Sequence, residues 1–148
     1  VSVECNLRIS WGARPRGFAA LMGLYESNYL RLERLAGVLT ALPDRARSQV
    51  RGDCELLLEV VERSPYTTCA DLTYLLPAES GDSGTGPLRL PDLRLRIYHD
   101  ARLLEASRSR SIDPAERELH HRWARNMMLN KWLEYCLDRG HRFVLPAG

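Results

Sequence analysis

The sequence predicts an α+β fold: a single domain in which a four-stranded antiparallel β-meander packs against an N-terminal and a C-terminal helix. Three observations lead to it. Near both ends of the chain, apolar residues recur at steps of three and four, the spacing of an amphipathic helix. Between those stretches apolar and polar residues alternate, the spacing of a strand with one buried face. The links between the strands are short, so neighbours run antiparallel and the helices are left to cover one face of the sheet. A chain of 148 residues is one domain on ordinary priors. At that size about 70% of the unfolded surface is buried without any need for staples.

Taken in order, residues 1–17 have no clear period, carry Gly12, Pro15 and Gly17, and are expected to be a loose leader to a domain spanning 18–140. From Phe18 a helix follows. Its stripe is Leu21, Tyr25, Asn28, Leu32, Leu35, Leu39 and Leu42, and Pro43 is expected to end it. Asn28 is the polar member of that stripe; buried, it needs hydrogen-bond partners and can set register against a neighbouring element. Residues 44–49, DRARSQ, read as a polar connection. Next, Leu56, Leu58 and Val60 share one strand face and Glu55 and Glu59 the other. Glu62-Arg63-Ser64-Pro65 is a tight connection, and Tyr66-Thr67-Thr68 opens a strand that runs to about Leu76. Residues 77–87, PAESGDSGTGP, have the composition of a flexible loop and lack the G-x-x-x-x-G-K-S/T spacing of a phosphate loop.

The chemically richest stretch is Leu90–Arg110. Leu93, Leu95 and Ile97 alternate with Arg94, Arg96 and Tyr98, the chain turns at Tyr98-His99-Asp100-Ala101, and a second strand starts at Arg102. Asp113 as N-cap, Pro114 in the first turn and Glu116 behind it open the last helix, which runs to about Asp138 with Gly140 just past its end. Leu129, Trp132, Leu133, Cys136 and Leu137 form its apolar face, with Asn126 and Asn130 beside it. Residues 141–148 are expected to be a tail.

Composition excludes more than it selects. A net charge of +2 argues against a strong nucleic-acid or anionic-membrane binder. No run reaches the roughly 18 apolar residues of a membrane span, and the first 20 residues hold no apolar signal core. The four cysteines, Cys5, Cys54, Cys69 and Cys136, form no C-x-x-C pair, so zinc and thioredoxin spacings are absent and a reducing, cytoplasmic setting is expected. Lys131 is the one lysine. Arginine codon choice in a GC-rich genome accounts for an excess spread along the whole chain.

Three uses of the central stretch follow from its residue types. Tyr66, Arg96, Tyr98 and Asp100 could hold an anionic small molecule or a protein partner, because guanidinium pairs bidentately with carboxylate and phosphate. Arg94, Arg108 and Arg110 could extend that surface, or be balanced by Glu55, Glu59 and Glu105 across the strands. Alternatively His99, with Asp100 or Glu62 as partner, could serve as the acid and base of a hydrolase or lyase. Adjacent strand residues point to opposite faces, however. Asp100 then shapes the turn, and His99 bonds a carbonyl or Asn126. The third use is RNA association, with Tyr66, Tyr74 and Tyr98 as stacking surfaces. His120 and His121 diverge on a helix and form no local metal pair, so neither metal nor other cofactor is expected.

Four blocks of the chain resemble a known family. They are Leu21-Met22-Gly23-Leu24-Tyr25-Glu26-Ser27-Asn28-Tyr29, Glu62-Arg63-Ser64-Pro65-Tyr66-Thr67-Thr68, Arg96-Ile97-Tyr98-His99-Asp100-Ala101 with Glu105 following, and Asn126-Met127-Met128-Leu129-Asn130-Lys131-Trp132-Leu133 with Cys136-Leu137 and Gly140. In this order they resemble the YqiB-like proteins, small uncharacterised bacterial proteins found mainly in proteobacteria. Family members tend to carry an acidic pair and a lysine where this chain has His120-His121-Arg122, which removes the basis for carrying over a role of those acidic groups. The resemblance implies a set of positions and no activity.

Overall fold

Five strands form the sheet. A computed structural model describes residues 17–77, 88–107 and 118–143 of the chain. Helix α1 spans Phe18–Ala36, a 3-10 turn spans Leu39–Ala41, and β1 (Arg45–Ser48), β2 (Glu55–Arg63), β3 (Thr67–Leu76), β4 (Leu88–Tyr98) and β5 (Leu103–Ser107) follow, before helix α2 (Glu118–Arg139). The strands lie in sequence order and every neighbouring pair is antiparallel, so the sheet is the expected meander with one strand more. The extra strand is β1, inside the stretch read as a polar connection. Its residues, RARS, alternate exposed and buried. The buried positions are Ala46 and Ser48, too small to register as an apolar alternation. Pairing with β2 opposes Arg45 to Glu59 and Ser48 to Leu56.

Helix α1 also ends earlier than expected. Gly37 takes φ 78°, its N–H closes the last turn onto the Glu33 carbonyl at 2.8 Å, and the chain leaves the helix there, six residues before Pro43. Leu39 and Leu42 still reach the core, carried by the 3-10 turn and the residue after it. The end of α2 is as expected. Gly140, at φ 93°, donates to the Leu137 carbonyl and His141 to that of Cys136, the double closure that a glycine beyond a helix end permits. The fold continues past Gly140: Phe143 is buried in the main core and its N–H bonds the Leu35 carbonyl. The expected leader up to residue 16, most of the 77–87 loop, Arg108, Arg110 and the Asp113–Glu116 helix start lie outside the described residues, as does the tail beyond Phe143.

The main core is the helix-covered face of the sheet: Leu56 and Leu58, Ala70 and Leu72, Leu93, Leu95 and Ile97, and Leu104 and Ala106 meet Leu32, Leu35, Leu129, Leu133 and Cys136. A second cluster joins Leu21, Leu24 and Tyr25 to Trp123, with Leu103 packed against it. Ser27 and Asn28 meet Asn130, and Arg31 meets Glu134. Residue numbers rise together across this contact, so the two helices run parallel.

Three buried asparagines tie these helices to β5. The Asn126 side chain accepts the Ala106 N–H at 2.7 Å and donates to the Ala106 carbonyl at 3.4 Å and to that of Arg122 at 2.9 Å. Asn28 donates to the Leu104 carbonyl and to Asn126, both at 3.4 Å, and accepts from Asn130 at 3.0 Å. Asn28 therefore has the structural role its place on the stripe implied. Asn126→Ala strands the Ala106 N–H in the core. We expect it to cost about 2–3 kcal/mol, read as a lower urea midpoint with an unchanged slope.

Candidate functional site

Strand register brings the candidate residues to one end of the sheet, with Glu62, Arg96 and Tyr98 on the face turned away from the helices. Thr67 opposes Tyr98, Cys69 opposes both Glu62 and Arg96, and Arg96 opposes Glu105. Tyr66, in the link before β3, is 67% exposed, and its carbonyl accepts the His99 N–H at 2.9 Å. The β2–β3 and β4–β5 turns are thereby fastened side by side. Tyr66, Arg96, Tyr98 and Asp100 thus share one corner of the sheet.

Most guanidinium groups of this face are already occupied. Arg45 pairs with Glu59 at 2.6 Å, Arg89 with Glu59 at 3.4 Å, and Arg47 with Glu55 at 3.6 Å. Arg94 clasps Asp71 through two bonds of 2.7 and 3.2 Å, which raise its pKa further. Arg94 therefore belongs with the balanced charges of the sheet. Exposed Arg96 differs: it makes no ion pair with any described carboxylate. Its neighbours are Tyr98, then Cys69, which together hold its pKa up. The Tyr98 hydroxyl donates to Glu105 at 2.7 Å, and burial, then Glu105, raises the tyrosine's pKa. Behind Glu105 stands Tyr25 of α1, whose buried hydroxyl makes no close hydrogen bond and whose pKa is raised by burial, then by the Glu105 charge and a loose side-chain contact with Glu105. The face is not uniformly polar. Leu57 and Thr73, 2% and 0% exposed, are buried on it, and Thr73 donates to Asp92 at 2.8 Å.

His99, Asp100 and Glu62 are not assembled into an acid–base pair. His99 Nε2 meets the Thr68 hydroxyl at 2.7 Å rather than Asn126, and its Nδ1 is buried without a partner among the described residues. Asp100 accepts the Ala101 N–H at 2.9 Å, the local turn contact expected of it. Glu62 is exposed beside the irregularity between Val60 and Glu62 in β2. Among the described residues no group of three or more His, Cys, Asp or Glu side chains is placed to hold a metal ion.

The sequence reading missed a second polar cluster, at the far corner of the sheet. The Ser48 hydroxyl meets His141 Nδ1 at 2.9 Å, and His141 Nε2 meets Asp53 at 2.9 Å. The Tyr74 hydroxyl donates to the same Asp53 at 3.2 Å and touches Cys136 at 3.3 Å. Burial raises the Asp53 pKa, but the Cys54 N–H, His141 and Tyr74 outweigh it and hold the group below 3.8. Burial pushes the Cys136 thiol up to about 11. Serine, histidine and aspartate in a chain look catalytic, but the His141 side chain is fully buried and Ser48 already accepts the Arg142 N–H at 2.9 Å. The cluster pins the chain after α2 to β1. Its members lie up to 93 positions apart, so no local spacing announces it.

The fold and this face define a small α+β domain with an arginine–tyrosine corner at the end of an antiparallel sheet. The chain belongs to the family described as "Protein of unknown function (DUF1249)", which matches residues 31–142. It is similar to the "Uncharacterized protein YqiB" of Escherichia coli strain K12, with 32% identity over 133 residues covering 83% of this chain and 90% of the relative. The YqiB of the O157:H7 strain matches to the same extent. No solved structure matches. No helix among the described residues is long and apolar enough to cross a membrane.

Two pH dependences follow. Burial lowers the His99 pKa below 6.5, against the opposing charge of Asp100. The unfolded chain then binds the proton more readily, so stability is full above about pH 6.5 and falls as pH drops through the folded value. His99→Gln is expected to flatten that decline in urea melts between about pH 8 and 5. Asp53 contributes stability above the ordinary carboxylate range and loses it as pH falls below 3.8. Asp53→Asn is expected to cost about 1–3 kcal/mol at neutral pH and to shift acid unfolding less steeply than in the parent.

Proposed function

We propose that the protein is a binding module that takes a carboxylate or phosphate, carried by a small molecule or a partner protein, on the corner formed by Arg96, Tyr98, Tyr66 and Asp100. One observation carries the reading. Arg45, Arg89 and Arg94 each hold a carboxylate, whereas the exposed Arg96 guanidinium on the same face is in an ion pair with none among the described residues. A guanidinium so placed offers its planar fork to a bidentate anion. Tyr98 adds aromatic surface beside it, exposed Tyr66 lies in the neighbouring β2–β3 turn, and Asp100 borders the corner from the β4–β5 turn. Binding is favoured over acid–base chemistry because His99 is hydrogen-bonded to Thr68 and to neither Asp100 nor Glu62. RNA association is disfavoured by the net charge of +2 and by the carboxylates interleaved with these arginines. The reading includes a reducing, cytoplasmic setting, which suits the free thiols of Cys54, Cys69 and Cys136.

Thermal unfolding with inorganic phosphate, phosphorylated metabolites and carboxylates tests it. A ligand at about 100 times its dissociation constant should stabilise the fold by about 2.7 kcal/mol. The shift should vanish in Arg96→Ala and persist in Arg94→Ala, once each variant's own stability is subtracted. An equal shift in Arg96→Ala would sink the proposal.

A further inference from the structure

We infer that the ligand of this corner is a small zwitterion, an amino acid or a molecule with the same pairing of ammonium and carboxylate, seated between Arg96 and Glu105. The inference rests on the binding reading above and names its ligand class.

Three places in the described ladder set an arginine directly opposite a carboxylate: Arg45 and Glu59, Arg94 and Asp71, Arg96 and Glu105. Opposed residues on one face have Cβ atoms about 4.5–5.5 Å apart, close enough for the charges to meet. The first two pairs close, at 2.6 and 2.7 Å. The third does not. Tyr98, two residues beyond Arg96 on the same face, donates its hydroxyl to Glu105 Oε1 at 2.7 Å and holds the carboxylate away from the guanidinium. Glu105 forms no ion pair among the described residues, and its remaining contact is a loose one with Tyr25. A positive and a negative group are thus held side by side without closing on each other.

The second observation is Tyr25. Its side chain is 4% exposed, its hydroxyl makes no close hydrogen bond, and the group acting on it most strongly is Glu105, by charge and by a loose side-chain contact. Tyr25 thereby backs the Glu105 carboxylate from the helix side. An ammonium brings three donors. One would meet the Glu105 carboxylate from its solvent side, while the carboxylate of the same molecule lies on Arg96. A simple anion satisfies Arg96 alone, and a simple cation satisfies Glu105 alone. A zwitterion satisfies both and brings no net charge to the site.

Calorimetric titration of the full chain with the proteinogenic amino acids, and with acetate and methylammonium as single-charge controls, tests this. An amino acid is expected to bind about tenfold or more tightly than acetate. Glu105→Gln should weaken the amino acid about tenfold and leave acetate unchanged, whereas Arg96→Ala should remove both. Tyr98→Phe provides an independent arm that retains both charges. Without the hydroxyl, Glu105 is released to close onto Arg96, and amino-acid binding should fall although neither charged residue has changed. Amide NMR shifts confined to residues 96–98 and 103–106 on titration would locate the ligand. Acetate binding as tightly as every amino acid, with no effect of Glu105→Gln, overturns the zwitterion and leaves the anion module standing. Failure of all these probes together with the phosphate and carboxylate panel above overturns both.

Discussion

The Asn126 carboxamide, bonded to the N–H and C=O of Ala106, is the contact on which the arrangement of this fold most depends. An outer strand presents backbone groups that must find partners or water. Here β5 is an outer strand whose exposed edge is turned into the protein, and a helix side chain takes the place of the missing strand. Arg125 adds a bond to the same carbonyl at 3.0 Å, and Asn28 reaches the Leu104 carbonyl. An apolar residue at position 126 would pack, but it would leave the Ala106 N–H buried and unpaired. The opposite edge, β1, is four residues long and carries Arg45 and Arg47, which discourages pairing with another chain.

That closure also shapes the candidate site. It draws α1 along β5, which places Tyr25 beside Glu105. Tyr98 then holds Glu105 from the β4 side, and Arg96 is left without the carboxylate that register assigns to it. The corner is therefore a joint product of sheet register and helix docking. At the far corner, Asp53, His141 and Ser48 perform a purely structural task with residue types that elsewhere do chemistry. Their burial separates the two cases: a buried histidine between two satisfied partners has nothing left to offer a substrate.

The YqiB-like family was legible from four sequence blocks, and the structure explains why those blocks read so clearly. Asn28, Asn126 and Asn130 come from the first and last of them and form one hydrogen-bonded group. Arg96, Tyr98 and Glu105 come from the third and line the corner. The alternation in β4 was readable because Leu93, Leu95 and Ile97 are large and all buried, so its period of two stands out. Strand β1 was unreadable because its buried residues are Ala46 and Ser48, whose burial follows from pairing with β2 and leaves no apolar signal. The early end of α1 was hidden by Leu39 and Leu42, which continue the helical spacing while buried by a different local geometry.

The sequence by itself determined the α+β class, the antiparallel order of the strands, the glycine-closed end of α2, and the face to which Arg94, Arg96 and Tyr98 belong. These follow from periodicity and local backbone chemistry, which act over a few residues. Only the tertiary structure decided which charges meet. Arg94 is clasped by Asp71 from 23 positions away, and His141 by Asp53 from 88. Glu105 turns to Tyr98 rather than to the arginine opposite it. Such choices depend on distances set by register and packing, and distances between remote residues exist only once the chain has folded.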